Sequence, residues 1–343
     1  VESFRGKTWE LTLPRERYLR KAEDDHAWEH PSGKLGRTFP HTIDGEGTLE
    51  GVLSATPFAD ELAASLAESA IDGEALGADP VPDLLSLSLA ATDAIGHTFG
   101  PESLEAEDNF VRLDRTLEHL FAVVDARVGL ERTLVVLSAD HGATESPEWL
   151  KAHRLPGERV LPSDLLEAAK KSAKTHFGSD ALVKASTVPY LWLDLALCEK
   201  RSLDPLVVAR AVASDVNREP HVYAAVPTRG PLPEGDVFER IAQSIHPQRS
   251  GDIYVVLRPY SLLLQHEGMA TTHGSPWTYD TLVPLIVTGP GLPQGRVARP
   301  VDPRSIAPTV ATLLGIRPPA GASRPPLKEL LPEAVAPSGS DTP

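Results

Sequence analysis

Cysteine is almost missing from this sequence: Cys198 is the single one among 343 residues. No disulfide can form within the chain, and no thiolate cluster can hold a metal. Methionine is equally scarce, with one residue, so soft sulfur sites of the kind that suit copper are disfavoured. Any metal must be held by histidine and carboxylate. Long apolar runs are also lacking. Nothing approaches the ~20 residues of a membrane-spanning helix, and the longest stretches, such as Leu282 to Val287, have the length of buried strands. Positive charge is short too, with 33 Lys and Arg against 48 Asp and Glu and a formal net charge of −15. Such a surface disfavours nucleic acid and anionic membranes as partners. It leaves phosphate chemistry open, because a bound dication reverses the field locally. An initiating methionine is lacking as well: the first residue is Val1, and no charged-then-apolar leader follows it. The expectation is a processed chain or a fragment.

What is present is a core of ordinary weight, 41% hydrophobic and 24% charged, enough for one large α/β domain with an insertion or for two domains. Residues 1–50 are rich in turn formers, including His30-Pro31-Ser32-Gly33 and Asp44-Gly45-Glu46-Gly47, and read as irregular. Helical spacing runs from Asp60 to Ala70 and over 103–128. Leu84 to Leu89 and Thr133 to Leu137 read as buried strands, and strand, helix, strand in this order predicts a parallel pair with a right-handed crossover. Between Glu145 and Tyr260, helical stretches (Asp164 to Lys174, Pro205 to Asn217) alternate with β-like runs (Tyr190 to Leu195, His221 to Val226, Ile253 to Leu257). Leu282 to Val287 returns to a core-strand pattern, interrupted by Pro284, and Arg304 to Leu314 reads as a last helix. The expected organisation is an irregular N-terminal segment with a helix (1–80), a first part of an α/β core (81–144), an inserted α+β cap (145–260), a second part of the core (261–319) and a mobile Pro-rich tail (320–343). Cys198, beside the apolar run Leu191 to Leu197, is expected to pack rather than react.

Three polar clusters stand where a sheet of this type would carry its site, beyond the carboxyl ends of strands. Asp93 and His97 are four apart, so both reach one ion if the segment turns, as Gly96 would permit, or begins a helix. Asp140 and His141 are adjacent just past a strand, and His273 lies in Thr271-Thr272-His273-Gly274-Ser275. Each has a plainer reading by itself: a helix cap with a surface histidine, a turn, a loop histidine. Together they point to a metal site of nitrogen and carboxylate donors, the set that suits zinc with an open position for substrate. His26, His30, His41, His119, His153, His176, His221, His246 and His266 lack such context and receive no role.

These residues read together resemble the alkaline phosphatase superfamily, in the branch of bacterial threonine-nucleophile alkaline phosphatases and nucleotide pyrophosphatase/phosphodiesterases. The resemblance runs from Trp9 to about Pro319, and is most specific at 88–101, Ser138 to Gly142, His246 to Asp252, and Thr272 to Ser275. It implies a doubly wound, mostly parallel sheet with the α+β cap inserted. It implies two zinc ions, one bound by Asp93, His97 and His273, the other by Asp140 and His141 with a further Asp. It also implies hydrolysis of a small phosphate monoester or diester through a Thr or Ser phosphoenzyme. In that family the further Asp, the nucleophile and the phosphate-gripping residues precede the segment that Thr8-Trp9-Glu10-Leu11 resembles. The nucleophile is therefore expected upstream of Val1, and no residue of this chain is assigned as catalytic. The expectation is a chain missing the N-terminal strand and the nucleophile helix, poorly stable and inactive alone. Thr56-Pro57 fits a downstream element and is not taken as the nucleophile. Cys198-Glu199-Lys200-Arg201 does not match the sulfatase motif, and the Gly-His-Thr-Phe-Gly-Pro stretch favours this branch over the related mutases. The resemblance further implies export to the periplasm or cell surface. The alternative is a non-catalytic metal-binding fragment or pseudoenzyme of the same fold.

Overall fold

In a computed structural model of the chain, the described residues are 2–31, 35–43, 49–264 and 268–331. Val1, ahead of which the nucleophile is expected, lies outside them. So do Ser32 and Gly33 of the first turn-former cluster, the whole of the second (Asp44 to Gly47), His266 and the tail from 332 onward. The fold is α/β and divides into two units. The first comprises 1–60, 89–114 and 141–282, and the second 61–88, 115–140 and 283–343. The segment expected as a cap, 145–260, falls wholly within the first.

The first unit is built on a four-stranded antiparallel sheet in the order Val183–Thr187, Tyr190–Leu193, Ile253–Leu257, Val222–Pro227. Ile253–Leu257 is buried at all five positions because both of its faces are covered. Successive side chains of a strand point to opposite faces. Ile253, Val255 and Leu257 therefore pack with Leu165, Ala169, Val208, Val212 and Val216 from the helices Pro162–Phe177 and Pro205–Val216. Tyr254 and Val256 meet Ile241 and the partly buried Phe238 from the helix Asp236–Ser244. Cys198 is fully buried in the larger cluster, and burial pushes its thiol up, as its apolar setting predicts. The His246 to Asp252 stretch is the turn into the central strand. Ser250 and Arg249 donate their backbone N–H groups to the His246 carbonyl, and the Asp252 carboxylate accepts the Leu193 N–H at 2.9 Å.

The expected irregular N-terminus carries one two-residue ladder, Thr8–Trp9 against His41–Thr42. It is pinned by a buried carboxylate. Asp108 accepts from Trp9 Nε1 (2.6 Å), the Thr12 N–H (2.6 Å) and the Tyr18 hydroxyl (2.5 Å). Burial and this acceptor together push the Tyr18 phenol up to about 12.

In the second unit, Ala67 and Ile71 pack on Leu120 with Leu87, Val124 and Val128 at the margin. Val135–Ser138 pairs antiparallel with Leu285–Thr288, which starts immediately after Pro284, the residue with no N–H to give to a ladder. The parallel pair expected of 84–89 and 133–137 is not formed. Residues 82–90 carry no ladder, and Leu84 and Leu85 are 77% and 42% exposed. The two strands named above are the only ladder among the described residues of that unit, so the segment has no strand partner there. The sheets are thus mixed, with parallel pairing among the described residues confined to Arg159–Val160 against Leu262–Leu263.

Candidate metal centre

Asp93 and His97 sit on the helix Ala91–Phe99, one turn apart, so both point from one face. Gly96 lies within this helix and makes no turn. Nor does Asp93 cap it: Ala90 stands at the cap, and the buried Asp60 carboxylate accepts the Ala91 N–H at 3.0 Å instead. That lets the Asp93 carboxylate face the loop residues. Its Oδ1 lies 3.3 Å from His97 Nε2, 3.5 Å from His273 Nε2 and 3.7 Å from His141 Nε2. His141 stacks on His273 with ring centroids 3.4 Å apart, and His97 is tilted against His273 at 5.0 Å.

Two of these rings have their tautomer set by a carbonyl, which can only accept. His97 Nδ1 donates to Thr271 O at 2.9 Å and His141 Nδ1 to Gly142 O at 3.1 Å, which leaves the lone pair of each neutral ring on Nε2, the atom facing Asp93. Burial, then the neighbouring His141, hold the His273 imidazole below its ordinary value. Neutral imidazole is the form a metal needs. Asp93, His97 and His273 each offer a ligand atom, all within 4.8 Å of one another, a group that could hold a metal ion. Its donors are nitrogen and oxygen only, which fits a borderline dication such as zinc. Asp140, two residues past the strand Val135–Ser138, closes a stretch of the second unit and His141 begins the next stretch of the first, so the first unit by itself brings together four of the five expected residues.

Several supporting residues had no signal in the sequence. Asp280 is buried, which pushes its carboxyl up, and Oδ2 accepts the Ser275 N–H at 2.7 Å. The Asp280 carbonyl accepts the Gly142 N–H at 2.8 Å, so one residue ties the His141 and His273 loops together. Gly142 is required there, since a Cβ would run into the carbonyl oxygen of Tyr279. Buried Glu102 accepts both the N–H (3.0 Å) and the hydroxyl of Ser146. A signal for these contacts would need spacing regularities that loops do not have.

Residues 10–279 match the type I phosphodiesterase/nucleotide pyrophosphatase family. The chain is 34% identical over 330 residues to alkaline phosphatase PafA of Elizabethkingia meningoseptica, covering 94% of this chain and 60% of that protein. It is 29% identical over 333 residues to alkaline phosphatase PhoV of Synechococcus elongatus, covering 92% and 57%. A crystal structure of wild-type PafA superposes with a TM-score of 0.85 at 33% identity, covering 95% of this chain and 63% of that one. The chain spans about 60% of the length of these two curated relatives. With the family's motifs, most of its length and a closely similar fold in agreement, the chain belongs to the type I phosphodiesterase/nucleotide pyrophosphatase family of the alkaline phosphatase superfamily.

Proposed function

We propose that the protein hydrolyses phosphate monoesters or diesters at a two-zinc centre, with Asp93, His97 and His273 as ligands of one ion and Asp140 and His141 as ligands of the other. The observation that carries this reading is the approach of three imidazole Nε2 atoms to one carboxylate oxygen, at 3.3, 3.5 and 3.7 Å. Without a cation, such a gathering gains little. With one, each lone pair has a use. The chemistry that two zinc ions supply when bound is stabilisation of charge on the attacking and leaving oxygens of an in-line phosphoryl displacement.

The chain's own residues prepare that chemistry. Thr271 and Gly142 hold protons on the Nδ1 atoms of His97 and His141, so that Nε2 is the donor atom in each ring. Asp93, with a side chain 43% exposed, leaves the site open to a small solvent-borne phosphate ester. The net charge of −15 argues against nucleic acid as substrate. In keeping with the resemblance, the phosphoryl-accepting hydroxyl is a Thr or Ser upstream of Val1, and the protein works in the periplasm or outside the cell.

The test is metal analysis paired with hydrolysis of p-nitrophenyl phosphate and its diester analogue. A version extended upstream of Val1 should hold two zinc ions and residues 1–343 one. In the extended protein, Asp93→Asn should lose one ion and reduce hydrolysis at least ~100-fold, as loss of a principal electrostatic element does. Metal binding without hydrolysis of either ester would favour the non-catalytic reading. Absence of zinc from the extended protein would refute both.

A further inference from the structure

Arg159 touches none of the five expected ligands, yet it commands the segment that leads to one of them. Its guanidinium makes four hydrogen bonds. Nε and Nη2 donate to Glu148 Oε1 and Oε2, each at 2.8 Å, a bidentate pair. Nη1 donates to the carbonyl of Met269 and Nη2 also to the carbonyl of Ala270, again at 2.8 Å each. The next links reach the site directly. The Ala270 N–H donates to the His97 carbonyl at 2.7 Å, and the Thr271 carbonyl accepts His97 Nδ1 at 2.9 Å. Two residues later comes His273.

The other end of the clamp returns to the same place. Glu148 lies in the first turn of the helix Pro147–Ala152, whose cap is Ser146. Ser146 is held by Glu102, five residues beyond His97 on the same stretch of chain. The links therefore close a ring from His97 through Glu102, Ser146, Glu148, Arg159 and Ala270 back to His97. The parallel ladder of Arg159–Val160 with Leu262–Leu263 fixes the backbone from which Arg159 reaches.

The geometry points to Arg159 as a positioning residue for the metal centre. By fixing the Met269 and Ala270 carbonyls it presents the Thr271 carbonyl to His97 Nδ1, which keeps the His97 lone pair on Nε2 and sets zinc affinity. This rests on the metal-centre reading above. A planar fork is needed, because four acceptors arranged around one plane match guanidinium and not the tetrahedral ammonium of lysine. Partners of this kind behind a metal-ligating histidine typically govern metal affinity by 10–100-fold.

The experiment compares the full-length wild type with Arg159→Ala, Arg159→Lys and Glu148→Gln. Arg299→Ala serves as a control, since it removes an equally bidentate pair with Glu329 remote in sequence from the centre. Zinc affinity is measured by competition with a chromogenic chelator, and the His97 tautomer by imidazole nitrogen NMR on zinc-free protein. Both Arg159 variants should bind zinc ~10–100-fold more weakly and show mixed tautomers at His97, with the control unchanged. Wild-type affinity and a single Nδ1-protonated tautomer in Arg159→Ala would overturn the inference. If that variant does not fold, Glu148→Gln decides in the same terms, and unchanged affinity and tautomer there overturn it. A wild type that binds no zinc defeats the metal-centre reading instead, and the tautomer measurement still decides the role of Arg159.

Discussion

At the scale of single residues, a pronounced electrostatic anomaly lies in a buried carboxyl that no motif marks. Glu29 is 3% exposed, and burial, reinforced by the nearby Glu105, pushes its carboxyl up to about 9 from an ordinary 4.5. Across that interval the folded protein keeps a proton that the unfolded chain releases, so stability is full below about 4.5 and is lost as pH rises toward 9. The slope reaches ~1.4 kcal/mol per pH unit where the two states differ by a whole proton. Urea midpoints of the wild type should therefore fall between pH 6 and pH 9, and those of Glu29→Gln, which is neutral throughout, should fall less. Equal falls would remove Glu29 as the cause. Its neighbour Glu105 is wholly buried with His41 Nε2 at 2.9 Å from Oε1, while His41 Nδ1 donates to Leu35 O at 3.0 Å. His41 receives no role from its sequence context, and the one it has is structural. Nothing local marks it, because its partner is 64 residues away.

At the scale of elements, legibility follows the strength of periodicity. The helix expected over 103–128 is Leu104–Arg127, and the one expected from Asp164 to Lys174 is Pro162–Phe177. The central strand Ile253–Leu257 is found at the expected bounds. Propensity and pattern agree with packing in each. The 84–89 run departs from its reading because an apolar run reports only that a strand could be buried, and burial needs neighbours that sequence cannot supply. The Asp93–His97 pair illustrates a middle case. Its four-residue spacing is legible, but the choice of helix over turn is made by Asp60, whose carboxylate caps the helix from 31 residues away. The loops obey a third rule, close approach of backbones. Gly142→Ala should force the His141 loop off the carbonyl of Tyr279, at a cost of ~1–3 kcal/mol typical of overpacking. It should also weaken zinc binding by displacing His141. Unchanged urea midpoints and zinc affinity would show that the two loops yield freely.

At the scale of the molecule, the second unit leaves apolar side chains in water. Val81, Leu84 and Leu85, close together in sequence, are 67%, 77% and 42% exposed, and Ile286 is 58% exposed on its strand. Apolar exposure favours association, and a segment without a ladder adds backbone donors to it. Residues 1–343 expressed alone should self-associate with increasing concentration in sedimentation experiments. Leu84→Ser with Leu85→Ser should reduce that association without changing the far-ultraviolet spectrum. A wild type that stays monomeric at ~100 μM, well into the range where exposed hydrophobic surface drives aggregation, would contradict this.

Composition and spacing alone determined the class of chemistry available here. One cysteine and one methionine leave nitrogen and oxygen as the metal donors, and the paired Asp and His residues name the candidates. Only the tertiary structure decided which of them meet. The convergence on Asp93 Oδ1 depends on a cap supplied by Asp60, a carbonyl supplied by Thr271 and a glycine forced by Tyr279. Those are contacts between backbones and side chains distant in sequence, and their free energy depends on three-dimensional proximity, which residue order does not encode locally.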